Sequence, residues 1–578
     1  MTTLRTRWPR AAAGAACLVA VALAAASCAT IPTSGDVVEG AVQVDTPVDV
    51  GFNVQGPAAG SDPQQIVEGF VSAAQFGPAS TSSFTTAQEY VTTPAWNDWD
   101  RDMRVLVLSE YPEWVAGDYD DSSTSTTVTG EALLVASLDE SGVYTELPAP
   151  STVDVTYDLR RDGDGEWRIS DVADGLLVLG DVLGNVFHRT TLYYPTPDRR
   201  WWVPDVRWFP EQSWRTTASQ EILAGPPQRL AQSAVSVVPE GTTLAIDAVT
   251  VDDDGVIDVS VTSAITAAPP DDRALLVAQL EATLREEQGR SVELSDGTNP
   301  LAVEPVDPPS RPLTVGDPLA IVDDGAGVAL RRVVGTELTD LATPVRLGSV
   351  DPTAVGVGPD DGTVVLRDGS DRIVRATGDA APSTLLEGED LAAPSVDRFG
   401  TVWTAVDGVP WVVLASGEAF PIEAEWLTDG AVRSLRVSPE GARVAVVLQG
   451  AERPEVWVAA VERDADDVPT GLSAPVRVGA PVAGVQLADW SEETTLVLLG
   501  RSTDGTRSVY VAGVGGLPAS SSGQTRLLVT PTAPVAVAAG VGASPMLLLD
   551  ADGVLQVRQS AALWPSVSDG VVAAAYPG

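Results

Sequence analysis

The side chains that most often carry chemistry are scarce in this chain of 578 residues. There is one histidine, His188, there are two cysteines, Cys17 and Cys28, and there is no lysine, so all 35 basic residues are arginine. Without lysine the chain has no P-loop ammonium, no Schiff base and no Ser–Lys dyad. A single histidine excludes H-E-x-x-H and zinc sites built on several imidazoles. A Ser-His-Asp triad would need His188, and no G-x-S-x-G accompanies it. Beside Phe187, the histidine reads as a surface or half-buried strand position. The run Asp252-Asp253-Asp254-Gly255 is a candidate cation loop. With Gly255 at the sixth position of an EF-hand, however, Thr250 and Val261 fall where the first and twelfth acids must stand. The run fits the turn of a β-hairpin, which favours Asp-Gly. What remains is carboxylate chemistry. Eighty acidic residues leave room for a glycosidase pair, which would stand about 5 Å or 6.5–9.5 Å apart. Many stand in turn positions such as Asp360-Asp361-Gly362 and Asp552-Gly553, where turn formation explains them. No catalytic, metal-ligating or cofactor-binding set is expected.

Cys28 is the residue with an assignable reaction. Arg5, Arg7 and Arg10 precede an apolar run from Ala11 to Ala26, of signal-peptide length and short for a membrane span. The run ends Leu23-Ala24-Ala25-Ala26-Ser27-Cys28, which resembles a bacterial lipobox. Residues 1–27 then read as a cleaved lipoprotein signal. Cys28 becomes the lipid attachment site, its sulfur carrying a diacylglycerol and its amine a further chain. At about 0.8 kcal/mol per buried methylene, two or more chains anchor stably where one holds only marginally. Cys17 lies inside the signal, so Cys28 would be the only cysteine left. That fits lipidation and excludes a disulfide framework.

Charge and composition bound the rest. A net charge of −45 argues against nucleic acid and against docking by charge on an anionic membrane. Hydrophobic residues at 44% supply cores, while 43 prolines and 52 glycines call for many turns and a β-rich architecture. Leu527 to Leu549 carries no charge and is long enough to span a membrane. Its Pro531, Pro534, Pro545, Gly540 and Gly542 make buried strands and turns the better reading.

The elements fall into a series. Residues 28–60 read as a tether. Asp62 suits an N-cap and Pro63 the first helical position, ahead of a stripe of Ile66, Val67, Phe70, Val71 and Ala74. Strands are expected at 104–108, 126–137, 153–159 and 167–171, with a hairpin turn at Asp162-Gly163-Asp164-Gly165. This predicts an N-terminal α+β, cone-like domain over 61–187. The next unit, 188–312, starts with strands at 191–194 and 201–208. Thr217 and Gln220 fit a capping box for a helix stopped by Gly225 and two prolines. Strands at 244–251 and 256–261 follow. Asp272 then caps a helix carrying Leu276, Leu280 and Leu284 and ending at Gly289. From 313 to 578 a strand–turn–strand unit recurs: Val355–Leu366, Pro394–Trp403, Leu435–Val446 and, in degenerate form, Ala488–Leu498. A spacing of about 40 to 55 residues is that of propeller blades. The segment should close into about five to seven of them.

The middle unit resembles a GerMN domain: a helix ending Leu-Ala-Gly-Pro, then Val-Pro-Glu-Gly-Thr, an Asp-Gly hairpin and a later helix. With the start Cys28-Ala29-Thr30-Ile31-Pro32-Thr33-Ser34-Gly35 and the propeller, the chain is similar to the LpqB family of actinobacterial lipoproteins. That resemblance implies a multidomain, β-rich protein on the extracytoplasmic face of the cell membrane. It implies a non-enzymatic accessory to a sensor histidine kinase in envelope and cell-division homeostasis, with no nucleic acid and no cofactor. The alternative reading is an envelope protein that binds or cleaves cell-wall glycan.

Overall fold

The computed structural model describes residues 55–578, apart from 81–83, 286–289, 315, 326, 360–362, 519, 543 and 544. Cys28, the signal and most of the tether therefore lie outside the described residues.

The first helix, Pro63–Gln75, begins where the sequence places it. The Asp62 carboxylate accepts from Gln65 N at 2.9 Å, and the Gln65 side chain accepts from Asp62 N at 3.1 Å. This reciprocal pair satisfies two amides that would otherwise be orphaned. Ile66, Val67, Phe70, Val71 and Ala74 are buried, and Phe70 packs against Trp99 and Tyr157. The sheet beneath has the order Trp167–Asp171, Tyr144–Arg161, Ser125–Asp139, Arg104–Leu108, Leu176–Leu179, with Val115–Ala116 also pairing on Ser125–Asp139. The expected Asp-Gly turn is present: Asp162 N donates to Glu166 O, and the Asp162 carboxylate accepts from the amides of Asp164 and Glu166.

In the middle unit Phe187–Pro195 pairs with Trp202–Pro210 over its whole length. Two helix starts differ from expectation. The first helix is Trp214–Ala224, so the Thr217/Gln220 capping box is not formed. Trp214 is buried and its ring stacks on His188, which draws the first turn upstream. Thr217 donates instead to Ser213 O, and Gln220 to Asp247. Gly225 does stop this helix, with φ +89°. The second helix, Pro270–Leu284, starts ahead of Asp272, because Pro270 is already set for the first helical position. Asp272 lies in the first turn, where it suits the helix dipole, and pairs with Arg199 at 2.5 Å. The helix stops at Leu284 rather than Gly289. Val292–Ser295, Ile257–Ser260 and Thr250–Val251 form a three-stranded sheet, so the strand expected over 244–251 is reduced to its end.

Beyond residue 318 six sheets of four or five strands follow in sequence. They are six propeller blades. The innermost strands of blades two to six are Pro352–Val357, Ser395–Val396, Ala431–Val437, Ala483–Glu492 and Pro534–Ala538. Blade one combines Leu319–Asp323, Val328–Val334 and Glu337–Asp340 with Val571–Ala575, which is its innermost strand and closes the ring. The four repeats seen in the sequence are the first two strands of blades two to five. The uncharged stretch from Leu527 is the end of blade five and the start of blade six.

Candidate functional site

The recurring unit positions one side chain per blade at the propeller axis. The second residue of each copy is Gly356, Ser395, Arg436 or Asp489, and all four line one central passage. Its flanking apolar neighbours point between blades, as strand alternation requires. Arg436 donates to the carbonyls of Ala393, Pro394 and Leu435. Its Nε stands 3.9 Å from Asp489 Oδ1, and Asp489 Oδ2 accepts from Ala539 N at 3.0 Å. Burial pushes the Asp489 carboxyl up, while Arg436 and the amides of Ala539 and Trp490 draw it back. The passage is a cavity of about 30 Å³, lined also by Tyr576, Pro577 and Gly578. Gly578 N donates to Val357 O at 3.1 Å. Such a space holds a water or two. Among its lining residues Asp489 is the one acidic side chain, so the pair of acidic side chains that glycoside hydrolysis needs does not meet there.

Turns of blades three to five meet the two preceding domains. Arg398 binds Asp198 at 2.8 Å. Tyr193 OH donates to Glu493 and accepts from Arg311. Burial, chiefly, pushes the Tyr193 hydroxyl up and holds the Arg189 guanidinium down at about 10. The loop between Arg507–Gly513 and Arg526–Leu528 touches both domains. Gly515 O accepts from the Trp208 indole at 2.9 Å, Gly516 O from Arg189 at 3.0 Å, and Ser522 O from Tyr144 OH at 2.9 Å. Thr525 donates to Glu146 through both its amide and its hydroxyl. Glycine is needed at 515: φ is +73°, and a Cβ there would stand 2.7 Å from Val206 Cβ. Behind the joint Arg443 pairs with Glu440 at 2.6 Å and Arg463 with Asp397 at 2.6 Å, all four side chains nearly or fully enclosed.

The other sequence candidates are placed plainly. His188 lies in strand Phe187–Pro195, 3.3 Å from Glu211 and stacked on Trp214. The Asp252 loop is a hairpin turn whose carboxylate accepts from the amides of Asp254 and Val256. The Asp552-Gly553 turn is built the same way around Asp550, whereas residues 360–362 lie outside the described residues. No group of three or more His, Cys, Asp or Glu that could hold a metal ion occurs among the described residues. Sequence reasoning missed Arg436 and Asp489. The signal was there: a charged residue between apolar ones, at the position where other copies carry Gly or Ser.

The fold thus defines a three-domain protein whose largest part is a six-bladed β-propeller. Family models match in the same order: "Lipoprotein LpqB, N-terminal domain" over residues 56–183, "Sporulation and spore germination" over 191–299, and "Lipoprotein LpqB beta-propeller domain" over 329–577. Relatives named Lipoprotein LpqB match along most of their length. The Bifidobacterium longum protein is 28% identical, covering 80% of each chain. Those of Streptomyces coelicolor and Mycobacterium tuberculosis are each 26% identical, covering 96% and 94% of both chains respectively. The chain belongs to the LpqB lipoprotein family. The family is named for a lipoprotein and not for an activity. Among the described residues no helix is long and apolar enough to cross a membrane.

Proposed function

We propose that this chain is a lipid-anchored accessory protein. It is held by Cys28 on the extracytoplasmic face of the cell membrane and binds the extracytoplasmic part of a sensor histidine kinase, shifting its signalling equilibrium. The joint carries this reading. Three domains interlocked through the Arg398–Asp198 ion pair and a shared glycine-rich loop form a body suited to recognition, and the propeller axis is too narrow for a substrate. Anchoring confines the search for a partner to a thin layer, so a weak interface suffices. The choice of a kinase rests on the family resemblance.

The test is reconstitution of the full-length lipidated protein with the kinase in proteoliposomes. Addition should change kinase phosphorylation, and the two should co-purify. No association at high micromolar concentration, with kinase output unchanged, removes the kinase from the reading. Cys28→Ala should abolish fatty-acid labelling and release the protein from the membrane fraction; unchanged labelling would refute the anchor.

A further inference from the structure

A second cavity, of about 380 Å³, lies between blades five and six. It is an order of magnitude larger than the axial passage and within the usual size of small-ligand sites. Its walls carry Arg526, Arg558, Thr495, Ser491, Gln559 and Ser560. Two strands and a loop fix the first three. Arg526 pairs with Val511 across blade five. Arg558 begins a tight loop, with its amide donating to Met546 O at 2.8 Å and Gln559 N to Leu563 O at 2.9 Å. Thr495 starts the second strand of blade five and is 3% exposed.

Two of these side chains hold buried polar atoms with no partner in the protein. They are Thr495 Oγ1 and Arg558 Nε. Buried donors are almost always satisfied, so orphans that line a cavity point to a ligand. Glu492 stands on the same wall, where burial and Glu493 push its carboxyl up. Two arginines against one acid make this an exception on a chain of net charge −45. The remaining lining is apolar and includes Val511, Leu517, Pro545 and Met546.

We propose that this pocket binds an acidic sugar: a monosaccharide-sized ring carrying one carboxylate or phosphate. The arginines take the anion, with the planar guanidinium suited to either group. Thr495, Ser491, Gln559 and Ser560 meet ring hydroxyls, and the apolar wall takes a ring face. The site shares Ala539 with the axial passage, none of its polar groups lines that passage, and it does not depend on the kinase reading.

The experiment is calorimetric titration of the full-length protein in mild detergent with glucuronate, glucose 6-phosphate, inorganic phosphate and glucose. Glucuronate or glucose 6-phosphate should bind in the submillimolar range, and whichever binds tighter identifies the anion. Arg558→Gln should weaken that binding about tenfold or more, and Thr495→Val about threefold. Arg526 is exposed, so Arg526→Gln keeps the fold and should weaken binding comparably even if Arg558→Gln unfolds. Glucose binding as well as its acid forms would overturn the proposal. So would inorganic phosphate matching glucose 6-phosphate, acid-sugar binding unchanged in Arg526→Gln, or no binding by any probe.

Discussion

Asp489 and Arg436 depend on each other unequally. The aspartate side chain is 15% exposed, and its ionised form is tolerated because the guanidinium and two amides face it. Removing the cation strands the charge, whereas removing the charge leaves a neutral amide with the same backbone donors. Arg436→Ala should therefore lower stability by about 3 kcal/mol, and Asp489→Asn by much less; denaturant unfolding of both variants measures the asymmetry, and equal losses would contradict it. Glu146 supplies a pH signature. Burial raises its pKa above the ordinary 4.5, partly offset by the two bonds from Thr525. A raised carboxyl pKa makes the folded state bind more protons than the unfolded one, so stability falls as pH climbs above 4.5. Glu146→Gln should flatten that part of the profile in thermal melts, and parallel profiles would show that Glu146 does not contribute. At this scale the sequence was only partly readable. His188 and the Asp252 loop could be assigned from their neighbours. Glu146, like the orphaned Thr495 hydroxyl, carries no local mark, because its partners come from distant loops.

Among the elements, those whose ends are set by local chemistry matched their reading. The Asp62–Pro63 start and the Asp162 and Asp252 turns depend on residues within five positions. The helix starts near 214 and 270 did not match. A buried tryptophan and a proline outweighed hydroxyl and carboxylate caps worth about 1 kcal/mol each. The hairpin between Ser125–Asp139 and Tyr144–Arg161 shows how a turn can also serve a neighbour. Gly142, at φ +74°, presses on the next domain, where a Cβ would stand 2.4 Å from Trp208 O. Its carbonyl accepts from Trp208 N at 2.8 Å. Gly142→Ala should lower stability by about 2 kcal/mol or more through backbone strain and contact. Gly163→Ala, in an open turn with nothing within 4 Å of the added carbon, should change it little. Equal effects in denaturant unfolding would refute a structural role for the contact.

For the whole molecule, the order of domains and the presence of a propeller were legible because blades repeat and helices carry end signals. The joint was not. Arg398 and Asp198 lie 200 residues apart, and Thr525 and Glu146 lie 379 apart; no periodicity announces such pairs. They bear on proteolysis. Residues 304–308 are exposed, whereas Ser310 N and O bond to Arg200 O and Trp202 N, and Thr314 N to Val541 O. A protease should nick 304–308, yet the fragments should co-elute in gel filtration and separate only in detergent; separation under native conditions would show the joint to be weak. Ring closure has a consequence in time. Blade one joins Val322 to Val571, a partner about 250 residues further along the chain, which is contact of high sequence separation and slow to form. During synthesis and export, the edge of Leu319–Asp323 must wait, unpaired, until every other blade has emerged. The propeller matures all at once near the end of its own production, and a chain interrupted before residue 571 presents an open strand edge to the proteases of its compartment.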